Sequence, residues 1–149
     1  MTPQAFASER FPEANIVRAS SGDISKTRLW TGRVLSGLVV AFMVMDGVMK
    51  LFKPAFVVQA TIQLGYPEST IVGIGITLLA CTLLYVIPRT SILGAILLTG
   101  YLGGAVASGV RASTPLFNIV FPIVFGGIAW LGIWLRDQRL RELVPFSGK

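Results

Sequence analysis

The chain carries one pair of opposite charges inside an otherwise apolar segment. Asp46 and Lys50 stand four residues apart within residues 31–52. On an α-helix this spacing places two side chains one turn apart on one face, where they can pair. If the segment crosses a bilayer, an ionised carboxylate costs at least about 2.5 kcal/mol and is expected to face a bundle interior. The pair is therefore the first candidate for chemistry.

Other polar residues fall at the same predicted depth as this pair. Tyr101 lies within a later apolar segment, and its hydroxyl needs a partner such as Asp46, a threonine or a backbone carbonyl. Arg111 and Asn118 flank the turn after that segment, and Lys53 and Glu68 lie at the ends of theirs. Together they predict a site for an anionic or quinone-like headgroup. The alternative is a structural ion pair surrounded by ordinary membrane-edge residues.

The elements that would position these residues follow from the distribution of charge. Between Glu68 and Arg136 the only charged residues are Arg89 and Arg111, and each uncharged run between them is 20 residues or longer. A helix needs about 20 apolar residues to cross the hydrocarbon core. Only 13% of residues are charged, whereas about a quarter are in soluble domains. Counting the segment with Asp46, the sequence predicts four spans, at about residues 31–52, 69–88, 90–110 and 116–135.

A shorter helix is predicted between the first two spans. Residues 54–64 start with Pro54 and are followed by Gly65 and Pro67, which are helix start and stop signals. Eleven residues rise only about 16 Å, too little to span. The predicted fold class is an all-α integral membrane protein, a four-transmembrane-helix bundle with a short interfacial helix between spans one and two.

The basic residues predict the orientation of this bundle. Ten of the 13 Lys and Arg residues fall on the side of both termini and three on the other, so both termini are expected to be cytoplasmic. The formal charge of +6 is thereby explained without a nucleic acid partner. Residues 1–23 are predicted to be a flexible cytoplasmic tail, 24–145 the transmembrane domain and 146–149 a second tail. Trp30, Trp134 and Tyr85 are predicted to form an aromatic belt at the inner boundary.

Small residues recur at helical spacing in the third span. Gly100, Gly103, Gly104 and Ser108 contain a GxxxG motif and its extension. Such spacing lets helices approach closely in lipid. The pattern predicts helix packing within the chain, with a homo-oligomer interface as the alternative.

Several kinds of chemistry are not expected. The chain has no histidine and one cysteine, Cys81, which predicts no metal or haem site. No phosphate loop and no nucleophile beside a base is evident, so no catalytic residue is predicted. The chain would be at most one subunit of an enzyme.

Seven segments spread over residues 25–145 resemble the DoxX-like family. They are residues 25–33, 46–52, 64–67, 87–95, 97–107, 115–117 and 135–137. Many members of that family carry histidine shortly before the arginine that matches Arg111 or in the following loop. This chain has none, so a histidine-dependent redox or metal role is not expected.

The resemblance implies a four-helix protein of the bacterial inner membrane. The family takes its name from a subunit of a quinone-linked thiosulfate oxidoreductase, and relatives include accessory proteins of redox-stress complexes and chaperone-like membrane proteins. The expected function is an accessory or quinone- or lipid-binding subunit of a membrane redox complex. Quinone is the candidate ligand, and other redox subunits or a second copy of the chain are candidate partners. The alternatives are a proton or small-solute transporter that uses Asp46 as a relay, and a purely structural or assembly protein.

The charge distribution makes a testable prediction about topology. A reporter enzyme active only in the cytoplasm, fused after Lys149, should be active, because the basic residues hold that end inside. A reporter active only outside the cytoplasm, fused at the same residue, is the matched control and should be inactive. The reverse pattern would refute the orientation.

Overall fold

The computed structural model describes residues 26–137 and Leu140. The regular structure of these residues is entirely helical. The predicted tails at residues 1–23 and 146–149 lie outside the described residues. The helices are α1 (Lys26–Phe52), α2 (Ala55–Gln63), a short 3₁₀ helix (Glu68–Thr70), α3 (Ile71–Val86), α4 (Ser91–Arg111) and α5 (Leu116–Arg136).

Four of the described helices are long and apolar enough to cross a membrane. They are α1, α4, α5 and the continuous run of the 3₁₀ helix into α3. Their bounds differ by a few residues from the predicted spans, and the four-span prediction is confirmed. The short helix predicted between spans one and two is also present, as α2.

The ends of α2 follow from local chemistry. Pro54 directly precedes its first residue. Proline has no backbone N–H, and at this position the helix would not have used one. After the helix, Gly65 adopts a φ of +85°, which is open to glycine but unfavourable for a side chain with a Cβ. Pro67 then precedes the 3₁₀ helix. These residues turn the chain from α2 back towards α3.

The four long helices form a ring. Helix α1 packs against α3 and α5, and α4 packs against the same two helices from the other side. We call the end of the bundle that carries Lys26, Arg89 and Arg136 the proximal end. The opposite end, with Phe52 and Leu116, is the distal end, and α2 lies there.

The proximal half is closely packed. Gly32 on α1 and Gly132 on α5 bring their backbones together, since a Cβ built on Gly32 would lie 3.0 Å from the Gly132 carbonyl oxygen. Gly94 on α4 lies directly against the backbone of α3 at Tyr85. Absent side chains at such crossings let helices approach closely, which is the main source of adhesion in lipid.

Tyr85 is a core residue, so its prediction as part of an aromatic belt is wrong. The side chain is 0% exposed. Its hydroxyl donates a 2.9 Å hydrogen bond to the Ala129 carbonyl and lies 3.1 Å from Ser36 Oγ. Arg136 covers the ring and donates to the Tyr85 carbonyl at 3.2 Å. Tyr85 thus joins α3 to α1 and α5, whereas Trp30 is exposed as a belt residue should be.

Large apolar side chains cover the outside of the bundle. Phe52 is 82% exposed and Leu116 is 74% exposed, and exposed Leu, Ile and Val residues occur along all four long helices. In water this surface would be far larger than the apolar patches that monomeric proteins tolerate. A lipid bilayer covers it without penalty, so the chain is a membrane protein.

The predicted packing role of the α4 glycines is wrong within the chain. A Cβ built on Gly100, Gly103 or Gly104 would meet no atom within 4 Å. Ser108 is buried and hydrogen-bonded, so it alone of the four makes a close contact. The GxxxG spacing is present, but none of the described helices packs on its glycines.

The glycine contacts generate a prediction about stability. Gly94→Ala should lower the free energy of unfolding by about 1–3 kcal/mol, because its Cβ would overlap the backbone of α3. Gly103→Ala on the same helix is the matched control and should be neutral or stabilising by up to about 1 kcal/mol, as alanine favours helix. Unfolding by sodium dodecyl sulfate, followed by tryptophan fluorescence, measures both. Equal effects would contradict the assigned crossing.

Candidate functional site

A cavity of about 420 Å³ occupies the distal half of the bundle. Its volume lies within the range of small-molecule sites, about 300–1,000 Å³. Residues of all five α-helices and of the turn that follows α2 line the cavity. The lining residues are Phe42, Met43, Asp46, Lys50, Thr61, Leu64, Tyr66, Ile74, Gly100, Tyr101, Leu102, Gly104, Ala105, Ser108, Phe121, Pro122 and Phe125.

Helix α1 presents an ion pair to this cavity. Lys50 Nζ lies 2.5 Å from both carboxylate oxygens of Asp46, one turn away, which confirms the predicted pairing. The Lys50 side chain is 16% exposed and that of Asp46 is 35% exposed. Neither lipid nor apolar protein groups solvate a charge, so pairing stabilises both side chains. The pair adds hydrogen-bonding groups to the cavity without adding net charge.

Tyr101 on α4 contributes a free hydroxyl. It lines the same cavity as Asp46 and Lys50 and is half-buried. Within residues 26–137 and Leu140, its hydroxyl makes no hydrogen bond, so neither Asp46, a threonine nor a backbone carbonyl serves as the expected partner. An unbonded hydroxyl in a mostly apolar cavity is available to a ligand.

Three phenylalanine rings form an aromatic wall in the cavity. Phe42 on α1 packs against Phe121 and Phe125 on α5, with ring centroids 5.1 and 4.5 Å apart. Phe121 and Phe125 are 4.6 Å apart. These separations are typical of attractive ring pairs. Each of the three rings therefore packs against the other two.

The turn after α2 covers the distal end of the cavity. Tyr66 and Ser108 share a hydrogen bond of 2.6 Å, which joins this turn to α4. Arg111 donates a 3.0 Å bond to the Leu64 carbonyl, joining the same two elements a second time. Lys53 and Glu68 form an ion pair of 3.5 Å at the surface. Polar contacts on both sides of α2 thus join it to the bundle, and Val57 and Thr61 of the helix are buried.

The predicted site residues divide into two groups. Asp46, Lys50 and Tyr101 line one cavity. Arg111 and Asn118 are exposed and are not among its lining residues. Arg111 holds the cover through Leu64, and Asn118 lies in the first turn of α5. The prediction grouped all five residues because they share a depth in the membrane, but only Asp46, Lys50 and Tyr101 line the cavity.

Neither the aromatic wall nor the cover was predicted from the sequence. Phe117, Phe121 and Phe125 recur every four residues, and Phe42 stands four residues before Asp46. Both spacings indicate one helix face and were available in the sequence. No local signal predicts the bond between Tyr66 and Ser108, which are 42 residues apart.

The ion pair generates a prediction about stability. A double-mutant cycle of Asp46→Ala and Lys50→Ala should give a coupling free energy of about 1–3 kcal/mol, since either single change leaves a charge unpaired among apolar groups. The matched control is the Lys53–Glu68 pair, which is longer and more exposed. Its cycle should give about 0–1 kcal/mol. Unfolding in detergent measures both, and a smaller coupling for Asp46 and Lys50 would contradict their sheltered position.

Comparison with known proteins identifies the family. A sequence profile of the DoxX-like family matches residues 34–132, which is more than half of the 149-residue chain. The matched range contains every residue that lines the cavity. Comparisons with curated proteins and with solved structures give no match. The chain is therefore a membrane protein of the DoxX-like family.

Proposed function

We propose that the chain binds the headgroup of a membrane quinone in its distal cavity, as an accessory subunit of a membrane redox complex. The observation that carries the proposal is that Lys50, the unbonded Tyr101 hydroxyl and an aromatic wall line one cavity. An ammonium group has three N–H donors, and Lys50 directs two of them to Asp46. The third N–H and the Tyr101 hydroxyl remain. A quinone ring offers two carbonyl acceptors and no donor, which matches this set.

The aromatic wall supports a planar ligand. Phe42, Phe121 and Phe125 line the cavity and pack against one another. Aromatic pairs in offset or edge-to-face contact gain about 0.5–1.5 kcal/mol beyond the burial of their surface. A quinone ring would gain both that contact and removal from lipid. The ring would therefore be oriented by its carbonyls and held by its face.

The charge balance favours a neutral headgroup over an anionic lipid. Asp46 neutralises Lys50, and Arg111 lies outside the cavity with its guanidinium on the Leu64 carbonyl. A phosphate in the cavity would lack a free cation and would meet the Asp46 carboxylate. Burial of an unpaired charge is strongly unfavourable. The anionic alternative of the sequence analysis is accordingly the weaker one.

The proximal half supports binding rather than transport. Val39 and Leu78 are fully buried at the middle of their helices, Ile133 is fully buried nearer the proximal end, and Tyr85 is bonded to two neighbouring helices. A route for protons or solutes would have to pass through this packed layer. A cavity that ends within the bundle is typical of a site that holds its ligand.

The proposal also includes place and partners. The chain would lie in a bacterial plasma membrane with both termini in the cytoplasm, so that the cavity occupies the outer leaflet. Because the sequence contains no catalytic set, electrons would reach or leave the quinone through another subunit of the redox complex. A second copy of this chain is the other candidate neighbour.

Tyr101→Phe tests this function. The affinity of the purified protein in lipid nanodiscs for a benzoquinone with an alkyl tail should fall about three- to tenfold, since one hydrogen bond contributes about 0.5–1.5 kcal/mol. The free energy of unfolding should hardly change, because the hydroxyl has no partner in the described residues. Quenching of tryptophan fluorescence measures the affinity.

Tyr85→Phe is the matched control. It removes the same atom from a hydroxyl bonded to Ala129 and near Ser36, so it should destabilise the protein while leaving quinone affinity nearly unchanged. If the wild-type protein fails to bind the quinone, or if both variants lose affinity equally, the proposed function is wrong.

A further inference from the structure

We infer that Gly100 and Gly104 determine which ring size the cavity accepts, making them specificity residues of the binding site. The inference rests on the proposed function, since it concerns the ligand of the same cavity. It gives a role to two glycines that helix packing within the chain leaves unexplained.

Both glycines line the cavity, and both leave space that a side chain would take. A Cβ built on Gly100 or Gly104 would meet no atom within 4 Å. The contrast is with Gly47 and Gly75, where a Cβ would lie 2.7 and 2.8 Å from neighbouring side chains. Gly47 and Gly75 are required for contact between α1 and α3. No helix contact among the described residues requires glycine at position 100 or 104.

The location of α4 makes this space relevant to a ligand. Helices α1 and α4 are not neighbours in the ring, and the cavity lies between them. Residues 100 and 104 are one turn apart on one helix face, beside Tyr101 and Ser108, which also line the cavity. Side chains at these two positions would extend from α4 towards the volume bounded by Phe42 and Asp46. The bare backbone therefore sets the room available next to the Tyr101 hydroxyl.

The open space beside Gly100 and Gly104 would distinguish ligands by the size of their ring system. A benzoquinone has one ring, and a naphthoquinone has a second ring fused to it, with the same two carbonyls. Donors at Lys50 and Tyr101 would hold the carbonyls of either ligand in the same position. The second ring then needs additional volume, which glycine leaves open and a larger residue closes. Pockets that are filled by an extra methyl group discriminate by steric exclusion.

Affinities for two quinones with the same alkyl tail test the inference, using the full chain in lipid nanodiscs. Gly104→Ala should weaken binding of the naphthoquinone about tenfold and that of the benzoquinone about threefold or less. Gly104→Leu and Gly100→Leu should weaken both quinones by about tenfold or more. Their unfolding midpoints in detergent should equal or exceed that of the wild type, because leucine favours helix more than glycine does and a Cβ at either position meets no atom within 4 Å.

Gly103→Leu is the matched control on the same helix. Gly103 has equally open surroundings but does not line the cavity, so both affinities should stay at the wild-type level. The inference is overturned if Gly104→Ala weakens both quinones by the same factor, or if Gly103→Leu has the same effect as Gly104→Leu. Wild-type protein that binds neither quinone would instead refute the proposed function, and the inference with it. These outcomes are distinguishable because the first two require a wild-type protein that binds.

Discussion

The spacing between helices in this bundle is controlled by the size of the residues at each crossing, and the cavity is a consequence. At the proximal end, Gly32 and Gly132 let α1 and α5 approach to backbone contact. Towards the distal end, the same two helices are separated by Phe42, Phe121 and Phe125. The distance between packed helices depends on the side chains at the contact. The rings therefore hold α1 and α5 further apart at the distal end than the glycines do at the proximal end, and they form one wall of the cavity.

The polar groups of the cavity obey a second constraint, set by lipid. A charge within a spanning helix must be paired by the protein, because the hydrocarbon offers nothing else. Lys50 meets this need for Asp46 from the same helix, so the pair forms without help from the other helices. The remaining helices are then free to vary what else faces the pair. In this chain α4 supplies the Tyr101 hydroxyl and two glycines.

The sequence predicted what depends on hydropathy and on local spacing. Four spans, the short helix α2 and the pairing of Asp46 with Lys50 all follow from composition along the chain or from contacts one helical turn apart. It failed where the direction of a side chain matters. Depth in the membrane does not tell whether Arg111 faces a cavity or a loop carbonyl. GxxxG spacing shows that a close approach is allowed, but not that any helix makes one, as Gly100 and Gly104 demonstrate.

The three tyrosines show how partners, rather than residue type, decide a role in this fold. Tyr85 is bonded to α1 and α5 and fully buried, so its hydroxyl is committed to the core. Tyr66 is bonded to Ser108 across 42 residues, so its hydroxyl holds the cover on α4. Tyr101 faces the cavity with no hydrogen bond to any residue that the structure describes. A hydroxyl that makes no hydrogen bond within the protein can gain one when a ligand carbonyl approaches it. Of the three, only Tyr101 therefore gains by meeting a ligand, which is why the proposed site is centred on it.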